Sequence, residues 1–323
     1  MIQRIAVVGS GYMGGGIAQV FALSGRSVVL ADVSGEVAAA SRERIIREAE
    51  DYAQRGLFPE NAGSVIAERV SAADRIEDAS AIADFVVEAV PEILAIKHET
   101  LARIADASPA STIIGSNTST ISIGTLATAV AHPERFLGVH FSNPATFVPG
   151  VEVISHTGND AQPGTDPTIP PRVIELLASC GKVGVPIADV TGFALNRLQY
   201  ALFTEAARLV EEGVATAEAV DTITRTTFGF RLPFFGPFAI ADIAGLDVYQ
   251  FCYGSLGAAY PERFAEPGVL SELVADGHLG LKSGGGFLST PAEQAPEIAG
   301  YRDEAYAQLA ALLAKIGPAP VEY

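Results

Sequence analysis

The chain has 323 residues, of which 49% are hydrophobic and 18% charged, and its formal net charge is −17. That length predicts two domains, and that composition a globular protein with ample core. So large an excess of acid argues against non-specific binding to nucleic acid or to an anionic membrane, while leaving room for a local basic pocket.

No run of 18 apolar residues occurs, so no transmembrane helix is expected. The opening M-I-Q-R enters a strand at once, which leaves no room for a signal peptide and points to the cytoplasm. Cys180 and Cys252 lie far apart and form no metal-ligand spacing. They are expected as free thiols in a reducing compartment, with no metal bound.

Arg4 to Val8 is a short apolar run rich in β-branched residues and reads as a buried strand. Gly9, Gly11 and Gly14 follow at G-x-G-x-x-G spacing. Ile17, Val20 and Phe21 continue at helical spacing to Gly25, and Ser27 to Ala31 is a second strand closed by Asp32. Gly9 allows the tight turn, Gly11 lets backbone approach a pyrophosphate, and Gly14 lets the helix pack on the strand. The helix N-terminus offers unpaired N–H groups to phosphate. Asp32 lies 18 residues beyond Gly14, where an acid can accept hydrogen bonds from a ribose. The same acid disfavours a 2′-phosphate, so the cofactor predicted is NAD rather than NADP. A glycine-rich turn in another α/β domain is the alternative, but here strand, helix and terminal acid are all present.

After Asp32 the pattern predicts helices over Val37–Ala53 and Ala62–Arg69, a pair that interrupts the strand–helix alternation and is expected to protrude. Alternation resumes with strand Asp84–Val87, helix Ile93–Ala105, strand Thr112–Gly115 and a helix near Ile123–Ala129. Strands Phe136–Val139 and Val151–Ile154 come next. Ser155 to Pro171 reads as loop, followed by helix Arg172–Cys180 and strand Val183–Ile187. The period then changes. Thr191–Glu212 reads as one long helix capped by Thr191 and ended by Gly213, and helical pattern continues to a last amphipathic helix over Ile298–Lys315. The fold predicted is an N-terminal Rossmann-type doubly wound α/β domain over residues 1–188, with the protruding pair at about 37–69. An all-α domain for substrate and dimerisation follows over 189–323.

Polar residues gather after strands: Glu88, then Ser116, Asn117, Thr118 and Ser119, then His140 and Asn143. In a parallel sheet these ends face one crevice, where ligands bind. Ser, Asn and Thr at such places are also ordinary turn residues. Glu152 is the one charge in the apolar strand P-G-V-E-V-I, and burying it requires a partner. His140 can return to it across the Ser142–Gly150 loop. A carboxylate behind an imidazole fixes its tautomer and raises its basicity, giving a general base beside a dinucleotide. The residues alone equally allow Glu152 to face solvent and His140 to be a satisfied core histidine.

At this point the chain resembles the 3-hydroxyacyl-CoA dehydrogenase family, from Ile2 to about Phe287. G-S-G-Y-M-G-G-G-I-A-Q-V-F-A is similar to that family's cofactor loop, V-V-E-A-V-P-E to its cofactor-ribose segment, and S-N-T-S-T to its substrate serine segment. V-H-F-S-N-P with V-E-V-I resembles its His–Glu pair. G-F-A-L-N-R and G-P-F-A-I-A-D-I-A-G-L-D resemble segments of its C-terminal domain. The resemblance implies that His140 takes the proton of the 3-hydroxyl, that Glu152 orients His140, and that Ser119 and Asn196 hydrogen-bond the reacting oxygen or thioester. It places Tyr12 and Met13 in the cofactor loop, with Glu88, Asn117, Asn143 and Lys282 along the cofactor. It makes Arg55 a basic contact for CoA.

The chain departs from that pattern. The helix pair carries Glu48, Glu50 and Asp51 among its basic residues. G-F-R-L-P-F-F-G-P is longer than the usual segment before G-P, and about 35 residues follow Phe287. The expected activity is hydride transfer between NAD and a 3-hydroxyacyl-CoA. The alternatives are the same chemistry on a free hydroxy acid or other small alcohol, and a crystallin-like NAD-binding protein without turnover. Leu202, Phe203, Phe234, Phe235, Phe238, Tyr249 and Phe251 give the second domain more apolar surface than its helices are expected to bury, which predicts a homodimer.

Overall fold

Residues 2–160 and 162–321 of the chain are described in a computed structural model. Strand β1 (Arg4–Val8) pairs in parallel with β2 (Ser27–Ala31) on one side and with β4 (Phe85–Glu88) on the other. Beyond β2 lies the parallel strand β3 (Val70–Ala72). Beyond β4 come β5 (Ile113–Ser116) and β6 (Phe136–Phe141), also parallel. Strand β7 (Gly150–Ser155) runs antiparallel to β6, and β10 (Val183–Ala188) closes the sheet parallel to β7. The sheet order is β10-β7-β6-β5-β4-β1-β2-β3. Between β7 and β10, the two-residue strands β8 (Gly158–Asn159) and β9 (Gln162–Pro163) pair with each other within the segment expected to be loop.

Helices cover both faces, which is why the strands read as unbroken apolar runs rather than as alternation. On one face, α1 (Tyr12–Leu23), α2 (Gly35–Gln54), α3 (Ala62–Arg69) and α7 (Ile169–Ser179) bring Ile17, Phe21, Ile45, Ile66 and Val173 into one core. Phe21 is its hinge point, meeting Phe85 and Phe141 edge-on at 6.3 and 6.2 Å. On the other face, α4 (Ile76–Ser80), α5 (Leu94–Ala107) and α6 (Ile123–Ala127) supply Ile76, Leu101, Ile104 and Leu126 to a second core. The chain leaves β1 in opposite directions, to β2 and, later, to β4. The crevice outside their carboxyl ends is therefore the switch point of the sheet, where a dinucleotide lies in such folds.

The chain divides into the units Met1–Ala201 and Leu202–Tyr323. Helix α8 (Leu195–Glu211) starts in the first and runs into the second. The second unit is helical: α9 (Ala217–Thr226), α10 (Phe228–Arg231), α11 (Pro237–Ala244), α12 (Leu246–Ala259), α13 (Gly268–Ala275) and α14 (Ala295–Ile316). Ala241, Leu246 and Leu270 form its small buried core, with Tyr249 and Phe287 packed on it. Among the described residues, no helix is long and apolar enough to cross a membrane.

Four differences from the sequence reading have local causes. Strand β3 and helix α4 were not anticipated, because V-S-A and I-E-D-A-S are too short to show a period. The helix pair does not stand free along its length: Ala38, Ile45, Ala49, Ala62 and Ile66 on its inner side are fully buried. Strand β6 runs on to Phe141, so His140 lies inside the strand instead of after it. Helix α8 begins at Leu195, not Thr191, because Gly192 and Phe193 both take left-handed backbone, at φ 78° and 48°.

Candidate active site

The glycine turn after β1 can be read atom by atom. Gly9 has φ 93°, and a Cβ there would lie 2.6 Å from the backbone of Ala89. A Cβ on Gly14 would run into the carbonyl oxygen of Gly9. These two glycines are required by the protein's own packing. Gly11 is not: a Cβ there would meet nothing within 4 Å. It stands at the N-terminus of α1, where the amides of the first turn have no intrahelical partners. Tyr12, exposed, and Met13, half-buried, begin that helix. Arg44 braces the turn, its Nη2 donating to the carbonyls of Ser10 (2.9 Å) and Gly11 (3.2 Å) while its Nη1 meets Glu48 at 2.8 Å. At the end of β2, Asp32 Oδ2 accepts from the Ser10 amide and hydroxyl, both at 2.6 Å, and Oδ1 accepts from the Val33 amide at 2.8 Å. The acid thus ties the ends of β1 and β2 together.

Glu88 turns inward. Its carboxylate is fully buried and receives Lys97 Nζ at 2.8 Å, the Val90 amide at 2.7 Å and the Ser116 hydroxyl at 2.5 Å. Burial pushes its pKa up, opposed by the Lys97 ammonium and those hydrogen bonds. The residue facing the loop after β5 is Glu92, which the sequence reading passed over. Glu92 Oε1 accepts from Thr118 Oγ1 (2.7 Å) and from the amides of Ser119 (2.8 Å) and Thr120 (2.9 Å). Burial alone would raise its pKa, but these donors and Lys97 hold it down at about 2. Lys97, itself buried, lies 3.4 Å from Glu92 as well, so one ammonium joins both carboxylates under the Ser116–Thr120 loop.

On strands β6 and β7 the side chains alternate. Val139, Phe141, Val151 and Val153 enter the first core. His140 and Glu152 between them point to the opposite face. They are direct partners across the antiparallel ladder, the arrangement that brings side chains closest. His140 Nδ1 and Glu152 Oε2 are 2.8 Å apart and both residues are buried. The other oxygen, Oε1, accepts from the amides of Ala194 and Leu195, each at 2.9 Å. Glu152 is therefore also the acceptor for the first amides of α8, at the positive end of that helix. With Nδ1–H directed to the carboxylate, Nε2 carries the lone pair, and among the described residues it has no hydrogen-bond partner. The ring of Phe193 stands 5.8 Å from the imidazole and is 1% exposed, closing one side of it. Nothing in the sequence singled out Phe193, since phenylalanine rarely takes positive φ.

Asn196, one residue into α8, donates from Nδ2 to the carbonyl of Ser119 at 2.9 Å. The structure thus brings Ser119, His140, Glu152 and Asn196 together. Asn117 Oδ1 accepts from the Phe141 amide at 2.8 Å and joins the ends of β5 and β6. Asn143 is exposed and precedes a cis peptide bond to Pro144. Lys182 was also missed. Its buried ammonium meets the carbonyls of Ala145, Thr146 and Val148 at 2.5, 3.2 and 2.8 Å, fastening the loop between β6 and β7. Arg55, at the end of α2, pairs with Asp51 at 3.2 Å and lies over the Tyr52 ring. Lys282 belongs to the second unit, where it pairs with Asp247 at 2.5 Å.

A doubly wound sheet with a glycine turn at its switch point and a buried imidazole–carboxylate pair along the same edge is the framework of a nicotinamide-dependent dehydrogenase. Two family descriptions match in tandem: "3-hydroxyacyl-CoA dehydrogenase, NAD binding domain" over residues 4–190 and "3-hydroxyacyl-CoA dehydrogenase, C-terminal domain" over 192–290. The chain belongs to the 3-hydroxyacyl-CoA dehydrogenase family, a family of NAD-dependent enzymes. It is 35% identical over 295 residues to 3-hydroxyadipyl-CoA dehydrogenase of Escherichia coli K12, spanning 91% of this chain and 60% of that protein. Identity is also 35% over 295 residues with 5-formyl-3-hydroxy-2-methylpyridine 4-carboxylate 5-dehydrogenase of Mesorhizobium japonicum, covering 91% and 93% of the two chains. Among solved structures, the 3-hydroxyacyl-CoA dehydrogenase of Archaeoglobus fulgidus matches with a TM-score of 0.79 and 31% identity over 97% of this chain and 99% of that one.

Proposed function

We propose that this protein oxidises the 3-hydroxyl of a 3-hydroxyacyl-CoA, or reduces the 3-keto group, as a cytoplasmic homodimer. The observation that carries this reading is the His140–Glu152 pair. In it, Nε2 of His140 receives the hydroxyl proton, while Glu152, accepting from Nδ1, holds the ring in the required tautomer and stabilises the imidazolium that forms. Ser119 and Asn196, joined through the Ser119 carbonyl, position the reacting oxygen. NAD, when bound, supplies the hydride acceptor. The chain fits that group: Gly11 leaves open the ground that a pyrophosphate needs, the α1 N-terminus faces it, and Asp32 stands at the ribose position. Glu88 serves this site from beneath with Lys97, and Glu92 shapes the Ser119 loop. Leu202, Phe203, Phe238 and Phe251 remain exposed on the second unit, Phe251 at 77%, and supply the apolar face of a dimer. Phe234 and Phe235 are instead packed against Tyr301 and Tyr306 of α14.

A second reading, the same chemistry on a hydroxy acid that is not a CoA ester, is favoured by the state of the helix pair. Arg55 is engaged by Asp51 and Arg44 by Glu48, so few cations there are free for phosphates. The Mesorhizobium relative, as identical as the CoA-named one, is named for a substrate without CoA. NADH formation with a panel of 3-hydroxyacyl-CoAs and the matching free acids decides between them. Turnover of the thioesters alone supports the first reading, turnover of the acids alone the second, and turnover of neither overturns both.

A further inference from the structure

One cavity is lined wholly by residues of the second unit and holds about 450 Å3, within the range of small-molecule sites. Its apolar wall is formed by Ile240 and Ile243, three apart on α11 and so on one face of that helix, together with the rings of Phe235 and Tyr306. These rings meet edge-on at 6.4 Å. Two guanidiniums complete it, Arg231 at the end of α10 and Arg302 on α14. Their states differ. Arg302 directs Nε and Nη2 at Asp303 Oδ1, at 2.9 and 2.7 Å. The Arg231 carbonyl accepts from the Phe234 and Phe235 amides at 3.1 and 3.0 Å and its charge acts on the Tyr249 hydroxyl, but its guanidinium has neither ion pair nor hydrogen bond among the described residues. The chain has 38 Asp and Glu against 21 Lys and Arg, so acidic partners are plentiful. Arg231 is exposed and lines the cavity without an acidic partner, which leaves its charge available to a ligand. With Asp303 set against Arg302, the cavity carries one positive charge in excess.

We propose that this cavity binds a small monocarboxylate with an apolar body. The planar fork of Arg231 matches a carboxylate in two parallel hydrogen bonds, and the isoleucines and aromatic rings receive the body. A single excess charge suits a monoanion better than a phosphate dianion. The wall contributed by α14 lies beyond residue 290, where the match to the family's C-terminal domain ends. The site therefore combines a family segment with one the match does not include. It stands independently of the dehydrogenase reading.

Isothermal titration of the full chain with hexanoate, hexanamide and inorganic phosphate tests it. Hexanoate is expected to bind saturably. Removing the charge from the ligand, as in hexanamide, or from the protein, as in Arg231→Gln, should weaken binding at least about tenfold. Arg231→Lys, which keeps the charge without the fork, should fall between, and serves if the glutamine variant does not fold. Arg302→Gln should matter less, and His140→Gln not at all, so failure of the dehydrogenase reading would leave this result untouched. Absence of saturable hexanoate binding, equal affinity for hexanamide, displacement by phosphate as readily as by a carboxylate, or wild-type binding by folded Arg231 variants would each overturn the proposal.

Discussion

Glu152 holds His140 with one oxygen and the first amides of helix α8 with the other. The carboxylate that orients the ring is thus fixed by the helix that also carries Asn196. His140→Gln should lower turnover by about 10²–10⁴-fold with little change in NAD affinity. Glu152→Gln should be slow too, because the pair acts as a unit. It should also lower the melting temperature, because an amide has one accepting oxygen and can accept from α8 or from His140 Nδ1–H but not from both. Wild-type rates in either variant would remove the assignment.

Cofactor preference rests on Asp32. A 2′-phosphate brought beside it would face a carboxylate already oriented by Ser10 and Val33, a penalty on the order of several kcal/mol in a partly desolvated site. Fluorescence titration with NADH and NADPH should show a clear preference for the former. Comparable affinities would contradict it.

The Ser119 loop should be acid-sensitive. Glu92 has a folded pKa of about 2 against an ordinary value of 4.5, so its contribution to stability is complete above 4.5 and disappears as pH falls toward 2. Arg103 holds Glu77 at about 2 as well, adding to the loss over the same window. Melting curves of Glu92→Gln should lie below wild type at neutral pH and converge with it near the lower limit. A gap that stays constant with pH would mean that Glu92 acts only through its shape.

If the substrate is a CoA ester held at the helix pair, Arg55→Ala should raise KM for it with turnover nearly unchanged, the sign of uniform binding. One such charge-assisted bond is worth about 1–3 kcal/mol. The same variant should be indifferent with a free 3-hydroxy acid. Equal kinetics with both substrates would leave Arg55 to its pairing with Asp51.

Light scattering at micromolar concentration should report a dimer, and Phe251→Asp together with Phe203→Asp should shift it to monomer. A monomeric wild type would leave those side chains as isolated surface residues.

The longer strands were legible because each is an apolar run in a sheet covered on both faces through its middle, whereas V-S-A of β3 was too short to show, and the glycine turn because its spacing is bounded by strand, helix and Asp32. What escaped was set by three-dimensional return. Glu88 follows the apolar residues of its strand, and its position alone did not say that its carboxylate lies beneath the crevice. Lys97 on α5 looks like a surface charge, yet its ammonium is buried between Glu88 and Glu92. Glu92 meets the Ser119 loop across 27 positions of sequence, a contact no local pattern encodes. Phe193 required a backbone state its residue type does not announce.

Among the described residues, six strands of the sheet finish at the crevice, but β7 and its parallel neighbour β10 start there. That reversal lets a residue near the beginning of a strand share a rim with residues near the ends of others, and it makes the site dependent on counting. The loop fastened by Lys182 sets which residue of β7 stands opposite His140. One residue more or fewer in that loop, if taken up as a slip of the ladder, would swap the faces, pressing Glu152 into the first core and presenting a valine to the imidazole. Loop length here acts as a digital setting. The first core registers the same change, because Val151 and Val153 leave it as Glu152 enters, while the base loses its partner in a single step.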